Sequence, residues 1–283
     1  MTTPRKTTIL LAMTALVAPA AWAQPDPEHC EHRNTVNLSD PAGGTLEVKS
    51  GAGAVEITGE PGLSEFRVAA TLCAASAELL NGLAVSLQGG RLDTTYPERR
   101  SGGWGFWRNN YASIHLAVRV PAGTAVELED KSGSAVISDV ARARVDDGSG
   151  SLRIRGVGGD VRVEDGSGSL TIEDITGDVS VEDGSGSLTI RDIAGNVRLE
   201  DGSGGARVRG VTGNVVVTDD GSGGIEIEEV GGEVRVSDAG SGRVRVRDVE
   251  GGLTVTGVRR SRIDYENVRG EVDLPPDRRR GRR

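Results

Sequence analysis

Asp147-Gly-Ser-Gly-Ser-Leu-Arg-Ile154, Asp165-Gly-Ser-Gly-Ser-Leu-Thr-Ile172 and Asp183-Gly-Ser-Gly-Ser-Leu-Thr-Ile190 follow one another at a spacing of 18 residues. Variants beginning at Asp201, Asp220 and Ala239 continue the series at 18, 19 and 19 residues. A 17-residue unit from Asp130 precedes them, and a degenerate unit from Gly257 to Pro275 closes the run. A fixed period near 20 residues is the mark of a solenoid. Within the unit from Asp165, Leu170-Thr171-Ile172 alternates, Ile175 marks a corner, and Val179-Ser180-Val181 alternates again. Such alternation, punctuated by Gly-Ser and Gly-Asp, reads as strand, turn, strand, turn.

The inward set recurs as Leu152/Ile154/Val157/Val161/Val163, Leu188/Ile190/Ile193/Val197/Leu199 and Ile225/Ile227/Val230/Val234/Val236. Burying five apolar side chains does not offset the entropy of ordering a whole unit, so neighbouring units must stack. The expected fold is therefore all-β: a parallel β-helix of about eight coils of 17–19 residues, with two short strands per coil. One outward position supports the register, because it reads Arg155, Glu173, Arg191, Arg209, Glu228, Arg247, Glu266, a largely alternating ladder. Opposite charges on adjacent strands attract.

The rest of the chain is read around this run. Residues 24–129 form a β-rich N-terminal cap with a first irregular coil at 45–59, and residues 130–275 form the repeats. The cap blunts an edge that would otherwise recruit other chains. Pro275-Pro276 removes two donors and ends the stack. Residues 276–283, with five Arg among the last six positions, read as a disordered, solvated tail. At the other end, Arg5 and Lys6, the apolar stretch Ile9 to Ala18 and the small-x-small Ala21-Trp22-Ala23 read as a Sec-type signal peptide, residues 1–23. Cleavage near Ala23 places the chain in the periplasm or outside the cell, with no transmembrane segment expected. There, Cys30 and Cys73, the only two cysteines, form one disulfide. The alternative, a metal site at His29-Cys30-Glu31-His32, lacks a second ligand cluster.

Composition excludes several classes. The chain has 42 Gly among 283 residues and eight aromatics, which disfavours a helical protein. A net charge of −9 disfavours a nucleic-acid partner. The six Gly-Ser-Gly segments have no Lys from residue 147 onward and sit between strands, so they are neither phosphate loops nor nucleophile elbows. In the calcium-binding β-roll an Asp fills the slot held here by Leu170 and Val179, which excludes that roll. Carboxylates on exposed ladders are solvated and are not expected to titrate unusually.

The iterated Gly-Ser-Gly-Ser-Leu-x-Ile-x-x-Ile-x-Gly-[Asp/Asn]-Val-x-Val resembles the bacterial "putative-adhesin" domain, an envelope family. Val-Pro-Ala-Gly at 120–123 and Tyr265-x-x-Val268-x-Gly270-x-Val272 resemble it as well. The family is similar in turn to the "putative autotransporter adhesin head", or GIN, domain. The resemblance spans roughly residues 35–275. It implies a β-helix in an exported protein and carries over no catalytic residue or cofactor.

Two candidate sites follow from the residues. Glu164-Asp165, Glu182-Asp183 and Glu200-Asp201 stack as an acidic edge. Either the Asp side chains accept turn N–H groups, or a divalent cation sits between coils. The second candidate is the loop from Arg99 to Tyr111, where Arg100, Trp104, Phe106, Trp107, Arg108 and Tyr111 gather most of the aromatics left after signal cleavage. These residues suit a hot spot for an envelope glycan or protein, or they plug the apolar end of the solenoid. The expected function is a non-enzymatic exported cell-envelope protein, an adhesin-like or scaffold solenoid without a cofactor. The alternative is a carbohydrate-binding or carbohydrate-active β-helix protein of the envelope.

Overall fold

The computed structural model describes residues 30–97 and 111–277. The expected signal segment and the Arg-rich tail beyond Asp277 lie outside the described residues. The first elements are β1 (His32–Pro41), β2 (Thr45–Glu60), β3 (Glu65–Ala74), α1 (Ala77–Asn81), β4 (Ala84–Gln88), β5 (Arg91–Thr95) and β6 (Ala112–Pro121). The repeats then supply β7 (Ala125–Ser138), β8 (Arg142–Asp147), β9 (Gly150–Val157), β10 (Val161–Asp165), β11 (Gly168–Ile175), β12 (Val179–Asp183) and β13 (Gly186–Ile193). They end with β14 (Val197–Val211), β15 (Val215–Val230), β16 (Val234–Val236), β17 (Arg243–Val249), β18 (Leu253–Val255), β19 (Ile263–Val268) and β20 (Val272–Asp273).

From β7 onward every pairing between coils is parallel and follows the repeat, with one register shift between Leu199 and Glu200, where β15 carries Thr218 as an extra residue. Leu152, Leu170, Leu188, Ala206, Ile225, Val244 and Ile263 lie over one another, one per coil. The opposite wall aligns Ala143, Val161, Val179, Val197, Val215, Val234, Leu253 and Val272. All of these except Val272 are buried, in one continuous apolar core between the two walls. The fold is thus a parallel β-solenoid of about eight turns. Parallel strands about 4.8 Å apart make each coil the template for the next.

One local expectation changes. Gly-Ser-Gly does not interrupt the ladder everywhere, because β14 and β15 run unbroken through it and Ser203 pairs with Ser222 and Gly204 with Gly223. The glycines bend the strand at a positive φ, near +139° at Gly204, while pairing continues. A corner lies later, where the sequence places it at Ile175. Asp174, Asp192, Asp248 and Asn267 adopt φ between 54° and 60°, just before the apolar corner residues Ile175, Ile193, Val249 and Val268. Asp and Asn tolerate that left-handed conformation best after Gly. A second corner is stapled between coils. The backbone N–H groups of Asp178, Asn196, Asn214 and Glu233 donate to the side-chain oxygens of Asp160, Asp178, Asn196 and Asn214, at 2.7–3.0 Å.

The parallel ladder begins before the repeats are recognisable. β2 pairs with β7 over Thr45–Thr58, and the chain between them folds back over the end of the stack. β5 pairs parallel with the first half of β2 and β6 with its second half. β3 then runs antiparallel to β6, and β1 antiparallel to β3. Phe66, Leu92, Ile114 and Leu116 are fully buried and carry the core past β2 into this cap. Cys30 and Cys73 form a disulfide, with Cα atoms 5.4 Å apart, that fastens the start of β1 to β3.

Candidate functional site

The solenoid presents two charged walls. On the wall formed by β9, β11, β13 and their successors, Arg155, Glu173, Arg191, Arg209, Glu228, Arg247 and Glu266 are register partners from coil to coil, as the ladder predicts. Ion pairs join them. Arg191 bonds Glu173, and Arg247 Nη1 lies 3.1 Å from Glu228. A neighbouring row joins Glu226 to Arg245 at 3.2 Å and to Arg207 at 3.4 Å. Glu173 is the most enclosed of these acids, its side chain only 9% exposed between Arg191 and Arg153.

The acidic edge is divided by the strand pleat. Glu164, Glu182 and Glu200 face solvent, and arginines of the same wall stand beside them. Arg162 reaches Glu182 at 3.2 Å and Glu164 at 3.4 Å, while Arg198 reaches Glu200 at 3.5 Å. Asp165, Asp183 and Asp201 point the other way, into the solenoid, because side chains alternate across a strand. They belong to a longer buried column, Asp130, Asp147, Asp165, Asp183, Asp201 and Asp220, each register-matched to the next. The N–H groups of Ser167, Ser185 and Ser203 donate to the Oδ1 atoms of Asp165, Asp183 and Asp201, each at 3.2 Å. These are the Asx turns named above as one of the two alternatives. Among the described residues, no group of three or more His, Cys, Asp or Glu converges in a way that could hold a metal ion.

Burial corrects the expectation of ordinary titration. Desolvation, reinforced by the neighbouring column carboxylates, pushes Asp147, Asp183 and Asp220 up to about 6. Asp130, Asp165 and Asp201 are also raised, chiefly by burial. The signal for this column was present in the sequence as Asp two residues beyond an inward apolar pair at Asp130, Asp147, Asp165, Asp183 and Asp201, and three beyond it at Asp220. The preceding Glu obscured it by suggesting one exposed acidic strip.

The aromatic candidates Arg100, Trp104, Phe106, Trp107 and Arg108 lie outside the described residues. Tyr111 is described, and it ties the cap together. Its hydroxyl accepts from the Glu31 N–H at 2.9 Å, and its carbonyl accepts from the Ala75 N–H at 3.0 Å.

Residues 73–274 match the model of the Toastrack DUF4097 family. The chain belongs to that family. The Toastrack match covers the repeats together with the later part of the cap, from the disulfide cysteine Cys73 to Leu274. No curated protein matches the chain. Among solved structures, a "putative lipid binding protein" from Parabacteroides distasonis is similar, with 17% identity, a TM-score of 0.51, and coverage of 86% of this chain and 97% of that one. A "putative cell adhesion protein" from Clostridium sporogenes aligns at 12% identity over 85% of this chain and 98% of that one, with a TM-score of 0.22. The first likeness concerns the fold alone.

Proposed function

We propose that this Toastrack protein is exported to the cell envelope and acts there without catalysis, as an adhesin-like or scaffold solenoid that binds through its charged walls. The observation that carries this reading is the wall of side-chain rows from Arg155 to Glu266, in register over seven coils. Rows about 4.8 Å apart on a stiff backbone present many weak charged contacts at once, which suits an extended partner surface. The Cys30–Cys73 disulfide supports export, because such bonds persist in oxidising compartments. The resemblance of the Gly-Ser-Gly-Ser-Leu-x-Ile repeat to the "putative-adhesin" domain supports the adhesin-like half of the reading.

Two measurements test it. Cell fractionation should recover a chain whose mass begins near Gln24 outside the cytoplasm, and a full-length cytoplasmic product would refute export. Purified protein should co-sediment with isolated envelope fragments in a salt-sensitive manner, and Arg191→Glu/Arg209→Glu should lose that binding. Binding unchanged by the double substitution, or reducing ends released from envelope glycan, would refute the non-enzymatic charged-wall reading.

A further inference from the structure

We propose that the aspartate column inside the solenoid stores protons, so that the stack tightens as its surroundings acidify and loosens as they turn neutral. The geometry carries the argument. Six Asp side chains occupy one register position on successive coils, and each is at most 5% exposed. Their backbones lie one strand spacing apart, about 4.8 Å. Both carboxylate oxygens of Asp220 and the Oδ1 of Asp147 are buried with no hydrogen-bond partner. Buried like charges at that spacing cannot all remain ionised, and a proton shared between neighbours relieves both the repulsion and the missing bond.

Among the described residues, no opposite charge acts on the column. The other carboxylates that reach it are Asp146, beside Asp147, and Asp219, beside Asp220. Tyr96 feels Asp130 at the upper end, where Ser50 is the register partner of Asp130. At the lower end the next position is Ala239, fully buried, so the column stops. Arg144, Arg162 and Arg198 pair with Glu164, Glu182 and Glu200 on the outer side of the same strands. The upward shifts agree with the geometry, because all six column aspartates move in the same direction and burial is the first cause at each. A protonated acid on one rung can then donate to an ionised one on the next.

The sign of the effect follows from linkage. The folded state holds these protons from the ordinary value of 3.8 up to about 6. The stabilisation is complete below the lower value and is lost as pH rises through the upper one. Other groups act in the opposite direction. Burial lowers His115 from 6.5, so its contribution is lost on acidification. Glu129, Glu226 and Glu229 are held low by Lys49, Arg245 and Arg209, and they matter only below about pH 4.5. The range from pH 5 to 8 therefore isolates the column, with His115→Gln as the background that removes the opposing group.

The test is thermal unfolding of the full chain between pH 5 and 8. In the His115→Gln background, the midpoint should fall by roughly 5–10 °C across this range. Asp147→Asn/Asp183→Asn/Asp220→Asn should flatten the dependence and unfold at a higher temperature than its parent at pH 8. Carboxyl-carbon NMR of Asp-labelled protein reads the protons directly without any substitution, and should show column members titrating near pH 6. Titration of every Asp below pH 4.5, or an unchanged slope in the triple variant, would overturn the proposal. So would calcium chloride at pH 8 restoring the midpoint seen at pH 5, since a cation would then neutralise the column in place of protons.

Discussion

Gly186 tests the claim that coils touch backbone to backbone at one fixed position. Its φ is +145°, and a Cβ placed there would lie 1.9 Å from the Gly168 carbonyl oxygen and 2.8 Å from its carbon. Both partners are main-chain atoms within paired strands, so neither can rotate away. Accommodating a methyl group requires β11 and β13 to separate locally by about 1 Å, beyond good hydrogen-bond geometry. Gly186→Ala should therefore lose two to four ladder bonds, at about 0.5–1.5 kcal/mol each. It also forces an alanine into a glycine conformation, at roughly 1–3 kcal/mol. The expected loss is about 2–9 kcal/mol, a large part of the 5–15 kcal/mol typical of a folded domain. The control lies on the next coil. A Cβ at Gly205 meets nothing within 4 Å, and Ser187 and Ser169 occupy the equivalent place. Gly205→Ala should be neutral to within about 0.5 kcal/mol. Urea denaturation followed by far-ultraviolet circular dichroism measures both. If Gly186→Ala falls within about 1 kcal/mol of the parent, or matches Gly205→Ala, the close-contact reasoning is refuted.

The fully buried Ile190 should cost about 2–5 kcal/mol when changed to Ala, with hydrogen exchange accelerating mainly in the adjoining coils, since each coil touches only its neighbours. Glu173→Gln, at an enclosed rung, should destabilise by about 1 kcal/mol or more, whereas Glu266→Gln, 68% exposed at the end of the ladder, should be silent; equal effects in denaturation would refute the ranking. Cys30→Ser should lower stability by about 3–4 kcal/mol, because the disulfide closes a separation of 43 residues, and adding reductant to the parent protein should reproduce that shift.

Much of the architecture was legible because a solenoid writes each contact several times. The inward Leu-x-Ile and Val-x-Val pairs and the Arg/Glu ladder stand where the repeat places them, since stacking turns sequence period into spatial neighbourhood. Two features were not legible, each for a physical reason. Gly-Ser-Gly looks like a turn by composition, yet a glycine at positive φ can bend a strand without breaking its pairing. Glu-Asp looks like one acidic edge, but the pleat sends Glu182 outward and Asp183 inward.

The repeat period by itself determined that this chain is a parallel stack, which side chains form its core and which charges meet along its wall, because an 18-residue identity leaves no other way to bury the same five apolar positions in every coil. Only the tertiary structure decided how the stack is closed and what titrates within it. The return of β3 to β6 over β2 depends on pairings between distant, non-repeating segments, and the behaviour of Asp183 depends on the neighbours above and below that remove its water. Burial and field are sums over the folded surroundings, and no single coil contains them.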